Sequence, residues 1–238
     1  MKTVSAVNAP AYSAAENRTN TTGIASILYL AAYIAVFHLF HRCYRLTPFY
    51  HQEITAAVQL IGYCVFGIAG IILFKDLFRT GLREWKAHPL KNLGLLAGFY
   101  LLMQALDFLT ASFAFVFGYE SINQNNVETA ASLFPAAVTF LSLAILGPVT
   151  EETVFRFIMV GRAKEKIPAA VCVIVSACCF GAMHMHALTL SELVACLPQF
   201  ATGLLLAILL LKCKNPTIPA LMHIMNNSIA IVPFLLKR

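Results

Sequence analysis

Long apolar stretches alternate with short polar ones along most of this 238-residue chain. Seven of the stretches are apolar enough to form membrane helices, and most are close to the ~20 residues that cross a bilayer. They lie near residues 23–41, 54–74, 93–117, 131–160, 167–187, 192–211 and 216–236. This pattern predicts an all-α fold, a polytopic transmembrane helical bundle of about seven spans.

Two of these stretches contain residues that change how a helix packs. The fourth is too long for a simple crossing and contains Gly147-Pro148, which predicts a kink or a break into two shorter helices. Gly94 and Gly98 in the third stretch form a G-x-x-x-G pattern, which lets two helix backbones approach closely.

The composition agrees with a membrane protein. Hydrophobic residues make up 59% of the chain and charged residues only 12%, against roughly 25% charged in a soluble domain. The net charge of +6 comes from short basic clusters between apolar stretches rather than from one dense patch. We therefore expect the chain to lie in a lipid bilayer and to bind no nucleic acid.

The basic clusters also predict the orientation. They comprise Lys75, Arg79, Arg83, Lys86 and Lys91, then Arg162, Lys164 and Lys166, then Lys212 and Lys214. The alternate loops near 118–130 and 187–191 contain no Lys or Arg, so the positive-inside rule places the N-terminus in the cytoplasm of a multi-pass plasma-membrane protein. Lys237-Arg238 would then lie outside, which leaves an eighth crossing or a re-entrant segment open.

The chain divides into a tail and one domain. Residues 1–22 are polar and predict a disordered N-terminal tail, and residues 23–238 form a single transmembrane domain. The first span ends at His41-Arg42 rather than at small residues, so we expect it to be retained and not cleaved as a signal peptide.

Three polar motifs lie inside the apolar stretches: residues 151–156 (EETVFR), 180–184 (FGAMH) and 223–227 (HIMNN). An ionisable residue in a bilayer costs roughly 2.5–3.5 kcal/mol on insertion scales and tends to mark function. The motifs are therefore the candidate site.

Helical spacing separates the two glutamates. Glu152 and Arg156 are four residues apart on one helix face, so they can form a buried ion pair that supports the site. Glu151 points about 100° away from Glu152, so we expect different partners for the two carboxylates. Glu151 is then a carboxylate without a local cation, suited to act as a general base on water.

The other two motifs supply the remaining groups that amide hydrolysis needs. His184 can orient the same water, and His223 and Asn227, one helical turn apart, can stabilise a carbonyl oxygen as it becomes an oxyanion. At 1.5 Å per residue, however, the predicted span ends place Glu151, His184 and His223 at depths of about 15, 25 and 10 Å. A kink at Pro148, or a fifth helix that begins deeper than Ile167, would bring the three residues to one level.

In this order the three motifs resemble the CPBP family of intramembrane endopeptidases, the CAAX-processing and bacteriocin-processing (Abi) group. The resemblance covers roughly residues 131–230, the motif-bearing core. It implies that Glu151 activates water together with His184 and that His223 and Asn227 form the oxyanion site. The supporting residues are Glu152, Arg156 and Phe180.

The resemblance implies an endopeptidase that cleaves a peptide or a membrane-tethered protein. Members are described both as metalloproteases and as metal-independent glutamate proteases. Because the chain has no H-E-x-x-H motif, we predict a metal-independent site without a cofactor, although zinc stays open. Many members have glycine directly after the motif arginine, whereas this chain has Phe157.

Two other classes of function fit the same residues. A non-catalytic membrane scaffold or bacteriocin self-immunity protein would keep the fold, and a proton-coupled transporter also has carboxylates and histidines at membrane depth. Asp107 is a further acid in the third span. We expect it to be a hydrogen-bonding partner in helix packing rather than a catalyst.

Overall fold

The structure is a computed structural model that describes residues 20–119 and 122–236, with side chains for 23–119 and 126–236. Within these ranges it contains ten helices and no strands, which confirms the predicted all-α bundle. Residues 1–19 of the predicted tail lie outside the described residues, as do Lys237 and Arg238.

The helices follow one another with short connections. Helix α1 comprises Asn20–Ile34, a π-helical turn at Ala35–Phe40, and His41–Arg45. It is followed by α2 (Gln52–Leu73), α3 (Lys75–Ala87), α4 (Pro89–Val116) and α5 (Ile122–Leu133). Helix α6 comprises Ala136–Thr139, π-helical Phe140–Leu146, Gly147–Glu151, π-helical Glu152–Arg162 and a 3₁₀ turn at Ala163–Glu165. The last four are α7 (Ala169–Met183), α8 (Leu190–Ala195), α9 (Leu197–Cys213) and α10 (Thr217–Leu236).

Seven apolar helices correspond to the seven predicted spans. In the described part of the chain, α1, α2, α4, α6 and α10 are long and apolar enough to cross a membrane. Helices α7 and α9 are apolar but shorter, with 15 and 17 residues. The protein is therefore an integral membrane protein, while its orientation in the membrane stays a prediction.

Two segments that we expected to be loops are helical. The basic residues after the second span lie mostly on α3, where Leu77 and Gly81 are buried four residues apart and Lys75 and Arg79 are exposed. This amphipathic pattern is typical of a helix that lies at a membrane surface. The polar residues 123–126, expected in an external loop, belong to α5.

Of the two outcomes predicted at Gly147-Pro148, a kink or a break, the break does not occur, since α6 continues through it to Glu165. Proline has no N–H to donate to the preceding turn, and the helix switches to π-helical hydrogen bonding over the seven residues before Gly147. A second π-helical segment begins at Glu152. The two motif glutamates therefore lie on either side of an α-to-π transition.

Helix α3 covers the turn between α9 and α10. The Asn215 side-chain amide donates to the carbonyl oxygen of Gly81 at 2.9 Å, and its Oδ1 accepts from the backbone N–H of Thr217 at 3.0 Å. Lys214 ends α9 in the left-handed conformation, with a φ of 51°. Residues 215–220 are all buried. The turn is therefore buried in the protein, and α3 packs over the start of α10.

Replacing Gly81 by alanine should weaken the packing of α3 on the turn between α9 and α10. An added Cβ would overlap Thr217 Oγ1 and crowd Asn215, both of them buried. Although alanine is the better helix former, the overlap should lower the free energy of unfolding by about 1–3 kcal/mol. Thermal unfolding of the purified protein measures the change.

Gly98→Ala is the matched control, because a Cβ there has no neighbour within 4 Å. The same open space means that the Gly94 and Gly98 pattern makes no close helix contact within the described chain. If Gly81→Ala and Gly98→Ala unfold at the same temperature, the close packing of α3 on the turn does not contribute to stability.

Candidate active site

One cavity of about 210 Å³ brings the four predicted catalytic residues together: Glu151, His184, His223 and Asn227 all line it. Phe180 also lines this cavity, whereas Glu152 and Arg156 do not. The four predicted catalytic side chains and Phe180 therefore face the cavity, whereas Glu152 and Arg156 lie behind its wall.

The observed helix ends give Glu151 and His184 similar depths. Glu151 lies 14 residues before the end of α6 at Glu165, and His184 lies 15 residues after the start of α7 at Ala169. His223 is only six residues into α10, but α10 starts at the buried turn on which α3 packs. All three side chains line the same cavity, so they lie at a similar level.

Glu151 is buried and held from two sides. The Tyr63 hydroxyl donates to its Oε1 at 2.6 Å, and His223 Nε2 lies 3.6 Å from its Oε2. Among the described residues no Lys or Arg forms an ion pair with Glu151, and the basic group that faces it is His223 of α10. Sequence spacing could not reveal this partner, because α10 comes from another part of the chain.

A close approach of two helices places Tyr63. A Cβ on Gly67 would lie 2.8 Å from the Cβ of Leu146, so only glycine lets α2 approach α6 this closely. Tyr63 is one turn before Gly67 and Glu151 is just over one turn after Leu146. The contact of the two backbones therefore brings the hydroxyl within reach of the carboxylate.

Glu152 forms the predicted ion pair and one further contact. Its Oε1 lies 3.3 Å from Arg156 Nη1 and 2.9 Å from His223 Nδ1. Both glutamates therefore contact His223, which contradicts the expectation of separate partners. The reason is that the imidazole ring has two nitrogens, so one side chain from α10 reaches both carboxylates.

The contact with Glu152 also determines the hydrogen-bonding state of His223. A carboxylate accepts, so Nδ1 of His223 donates to Glu152 and Nε2 faces Glu151. An imidazole held at one nitrogen in this way presents the other nitrogen in a fixed direction.

Arg156 is completely buried and touches three helices. Besides Glu152 on α6, its Nη2 donates to the carbonyl oxygen of Gly203 on α9 at 3.4 Å. Its guanidinium carbon lies 4.3 Å from the ring centre of Phe180 on α7, a cation–π distance. Phe180 thus supports the site by packing on the buried cation, and its ring also lies 5.6 Å from that of His223.

His184 and Asn227 are each held by a backbone carbonyl group. His184 follows the last residue of α7, and its Nδ1 donates to the carbonyl oxygen of Phe180 at 2.8 Å, which leaves Nε2 free to accept. The Asn227 amide donates to the carbonyl oxygen of Leu143 at 3.1 Å and has a second N–H left. Both side chains keep one polar group for the cavity.

Part of the cavity wall comes from residues outside the three motifs. Tyr63 and Gln199 line it, and so does Asp107, whose Oδ1 accepts from Thr202 Oγ1 at 3.1 Å. That bond is the expected packing contact of Asp107, between α4 and α9. The available signal was a polar group at membrane depth outside the three motifs.

Phe157, which departs from the family pattern, lies away from the cavity. It is buried, and its ring centre lies 4.8 Å from that of Phe74 at the junction of α2 and α3. The larger residue therefore fills an aromatic cluster instead of changing the cavity wall.

The donor groups do not form an obvious metal site. Among the described residues, no three His, Cys, Asp or Glu side chains converge in a way that could hold a metal ion. The two nitrogens of His223 face two different carboxylates, Glu151 and Glu152. Metal-independent chemistry stays a prediction that needs a direct test.

The same substitution at the two adjacent glutamates should have unequal effects on stability. Glu152→Gln leaves Arg156 buried without its counter-charge, which should cost about 3–5 kcal/mol of unfolding free energy. Glu151→Gln keeps an oxygen that accepts from Tyr63, and its cost should stay below about 1 kcal/mol. Denaturant titration of the purified variants compares them, and equal losses would contradict this division into supporting and reacting glutamates.

Comparisons with known proteins match the part of the chain that contains the three motifs. The family model described as Rce1-like, type II CAAX prenyl endopeptidase, matches residues 132–229. A Bacillus subtilis protein, the candidate membrane peptidase YdiL, is 24% identical over 158 residues, which are 66% of this chain and 62% of that protein. No solved structure matches the chain significantly. With the three motifs, these matches support the CPBP family of membrane proteases as the family that this chain resembles.

Proposed function

We propose that this protein is an intramembrane endopeptidase that hydrolyses a peptide or a membrane-tethered protein with water activated by Glu151 and His184. The observation that carries the proposal is the shared cavity, in which a buried carboxylate, two imidazoles and an amide face one small space. Relatives with a peptidase description support the same reaction class.

In the proposed mechanism, Glu151 is the general base. Its carboxylate takes a proton from a water molecule that also donates to Nε2 of His184, and the water oxygen attacks the substrate carbonyl carbon. Tyr63, which donates to Oε1, holds the carboxylate in one orientation. Glu151 then delivers the proton to the leaving nitrogen as the C–N bond breaks, so protons balance over the cycle.

His223 and Asn227 stabilise the tetrahedral oxyanion. Because Nδ1 of His223 donates to Glu152, donation by Nε2 to the oxyanion requires the doubly protonated ring. The second N–H of Asn227 supplies the other hydrogen bond. Donors fixed before the reaction are the usual means of stabilising such charge.

The cavity volume limits the substrate. Pockets for drug-sized ligands are roughly 300–1,000 Å³, and an engineered 150 Å³ cavity holds benzene. About 210 Å³ accommodates a scissile peptide group with one neighbouring side chain. We infer that the rest of the substrate, including any attached lipid, lies outside this cavity.

Removing the base or its partner should abolish cleavage. We expect Glu151→Gln and His184→Ala to lower the cleavage rate about 10²–10⁴-fold, and Asn227→Ala about 10²–10³-fold. The assay incubates the purified protein with a peptide library and identifies products by mass spectrometry. Glu53→Gln makes the same chemical change at an exposed position on α2 and is the matched control.

The alternatives give different results in the same experiment. Cleavage at the wild-type rate by all three folded variants would contradict the assignment. A transporter would show Glu151-dependent flux into liposomes without cleaved product, and a scaffold or immunity protein would show neither flux nor cleavage.

Chelation tests the metal question. If the site works as proposed, activity should be unchanged after dialysis against a strong chelator, because Glu151 and His184 act on water directly. Loss of activity that zinc restores would replace this mechanism with a metal-assisted one.

A further inference from the structure

Asp107 is a carboxylate of the cavity that the proposed mechanism does not use. It comes from α4, outside the three motifs, and it is half-buried. One of its oxygens accepts from Thr202, and no Lys, Arg or His of the described ranges forms an ion pair with it. An ionisable group at membrane depth without a counter-charge is costly and indicates a role beyond packing.

A second acceptor lies on the same wall. Gln199 is on α9, three residues before Thr202, so the two side chains share a helix face. Its Oε1 is buried, and within the described residues it has no hydrogen-bond partner. Buried acceptors normally have a hydrogen-bond donor as partner. A bound ligand could supply the donor for Gln199 Oε1.

The charges of the cavity favour a cation. Its lining contains two carboxylates, Asp107 and Glu151, and no Lys or Arg. The His223 ring, which is protonated at both nitrogens in the proposed mechanism, lies between Glu151 and Glu152 and does not pair with Asp107. Arg156 lies behind the lining and is paired with Glu152. A packing role explains the hydrogen bond between Asp107 and Thr202. It does not explain why the residue is charged, because the side-chain oxygen of an asparagine would accept equally well.

We propose that Asp107 and Gln199 form a subsite for a basic side chain of the substrate, beside the peptide bond that is cleaved. The inference rests on the proposed peptidase function and specifies its substrate class. A Lys ammonium group has three donors and an Arg guanidinium group five, enough to bond both acceptors at once. The aliphatic stem of either side chain can lie along the apolar part of the lining, at Ile231 and Phe234.

Matched peptides test the subsite. A series with one sequence and either Lys or Gln at each position next to the cleaved bond is incubated with the purified full-length protein. At one position the wild type should cleave the Lys peptide at least about tenfold more efficiently in kcat/KM, the effect of 1.4 kcal/mol. Asp107→Asn, which keeps an acceptor for Thr202, should reduce that ratio to about one.

The control is Asp76→Asn, which makes the same change at an exposed position on α3 and should keep the Lys preference. A purely structural role of Asp107 predicts instead that Asp107→Asn slows the Lys and Gln peptides equally, and this result would overturn the subsite. So would a wild-type protein without a Lys preference at any position.

Failure of the proposed function would look different, since the wild type would then cleave neither peptide. In that case the binding of the same peptides, labelled with a fluorophore and measured by anisotropy, decides the matter. Tighter binding of the Lys peptide that Asp107→Asn abolishes supports the subsite, and equal binding of both peptides overturns it.

Discussion

A charge inside a membrane protein has to be neutralised by the protein itself, and in this chain Arg156 imposes that constraint. Its guanidinium group is fully buried, so Glu152, the Gly203 carbonyl oxygen and the Phe180 ring must all surround it. Removing a cation from water costs several kcal/mol, and only contacts with good geometry offset this cost. The three contacts come from three helices, so satisfying one cation sets the relative positions of α6, α7 and α9.

The geometry of the candidate active site follows from the same cluster. Glu152 is the counter-ion of Arg156 and also accepts from His223 Nδ1, so the supporting pair orients the imidazole. The opposite nitrogen then faces Glu151, which Tyr63 holds from α2. The supporting glutamate, Glu152, therefore lies on the Nδ1 side of the His223 ring, and the candidate base, Glu151, lies on the Nε2 side. The two are not separated by lying on different faces of α6. Contacts of this kind around a reacting group limit its motion and favour one productive arrangement.

Some of this organisation could be predicted because it depends on local spacing. The apolar stretches predict the helices, since backbone groups in a bilayer must form hydrogen bonds within their own segment. The pairing of Glu152 with Arg156 follows from four residues on one helix face. The grouping of Glu151, His184, His223 and Asn227 in one cavity was also expected, from the order of the motifs and the family that they resemble. The buried turn at Asn215 was not foreseen, because it depends on α3 packing against residues far along the chain.

By itself, then, the sequence determined an all-helical membrane protein with three polar motifs, one supporting ion pair and a peptidase-type set of side chains. Hydropathy and helical periodicity are local properties that any stretch of chain carries with it. Only the tertiary structure decided that His223 lies between both glutamates, that Tyr63 holds Glu151, and that Asp107 faces the same cavity. These contacts join helices distant in sequence, and the position of Tyr63 also depends on a close glycine contact whose geometry residue spacing does not specify.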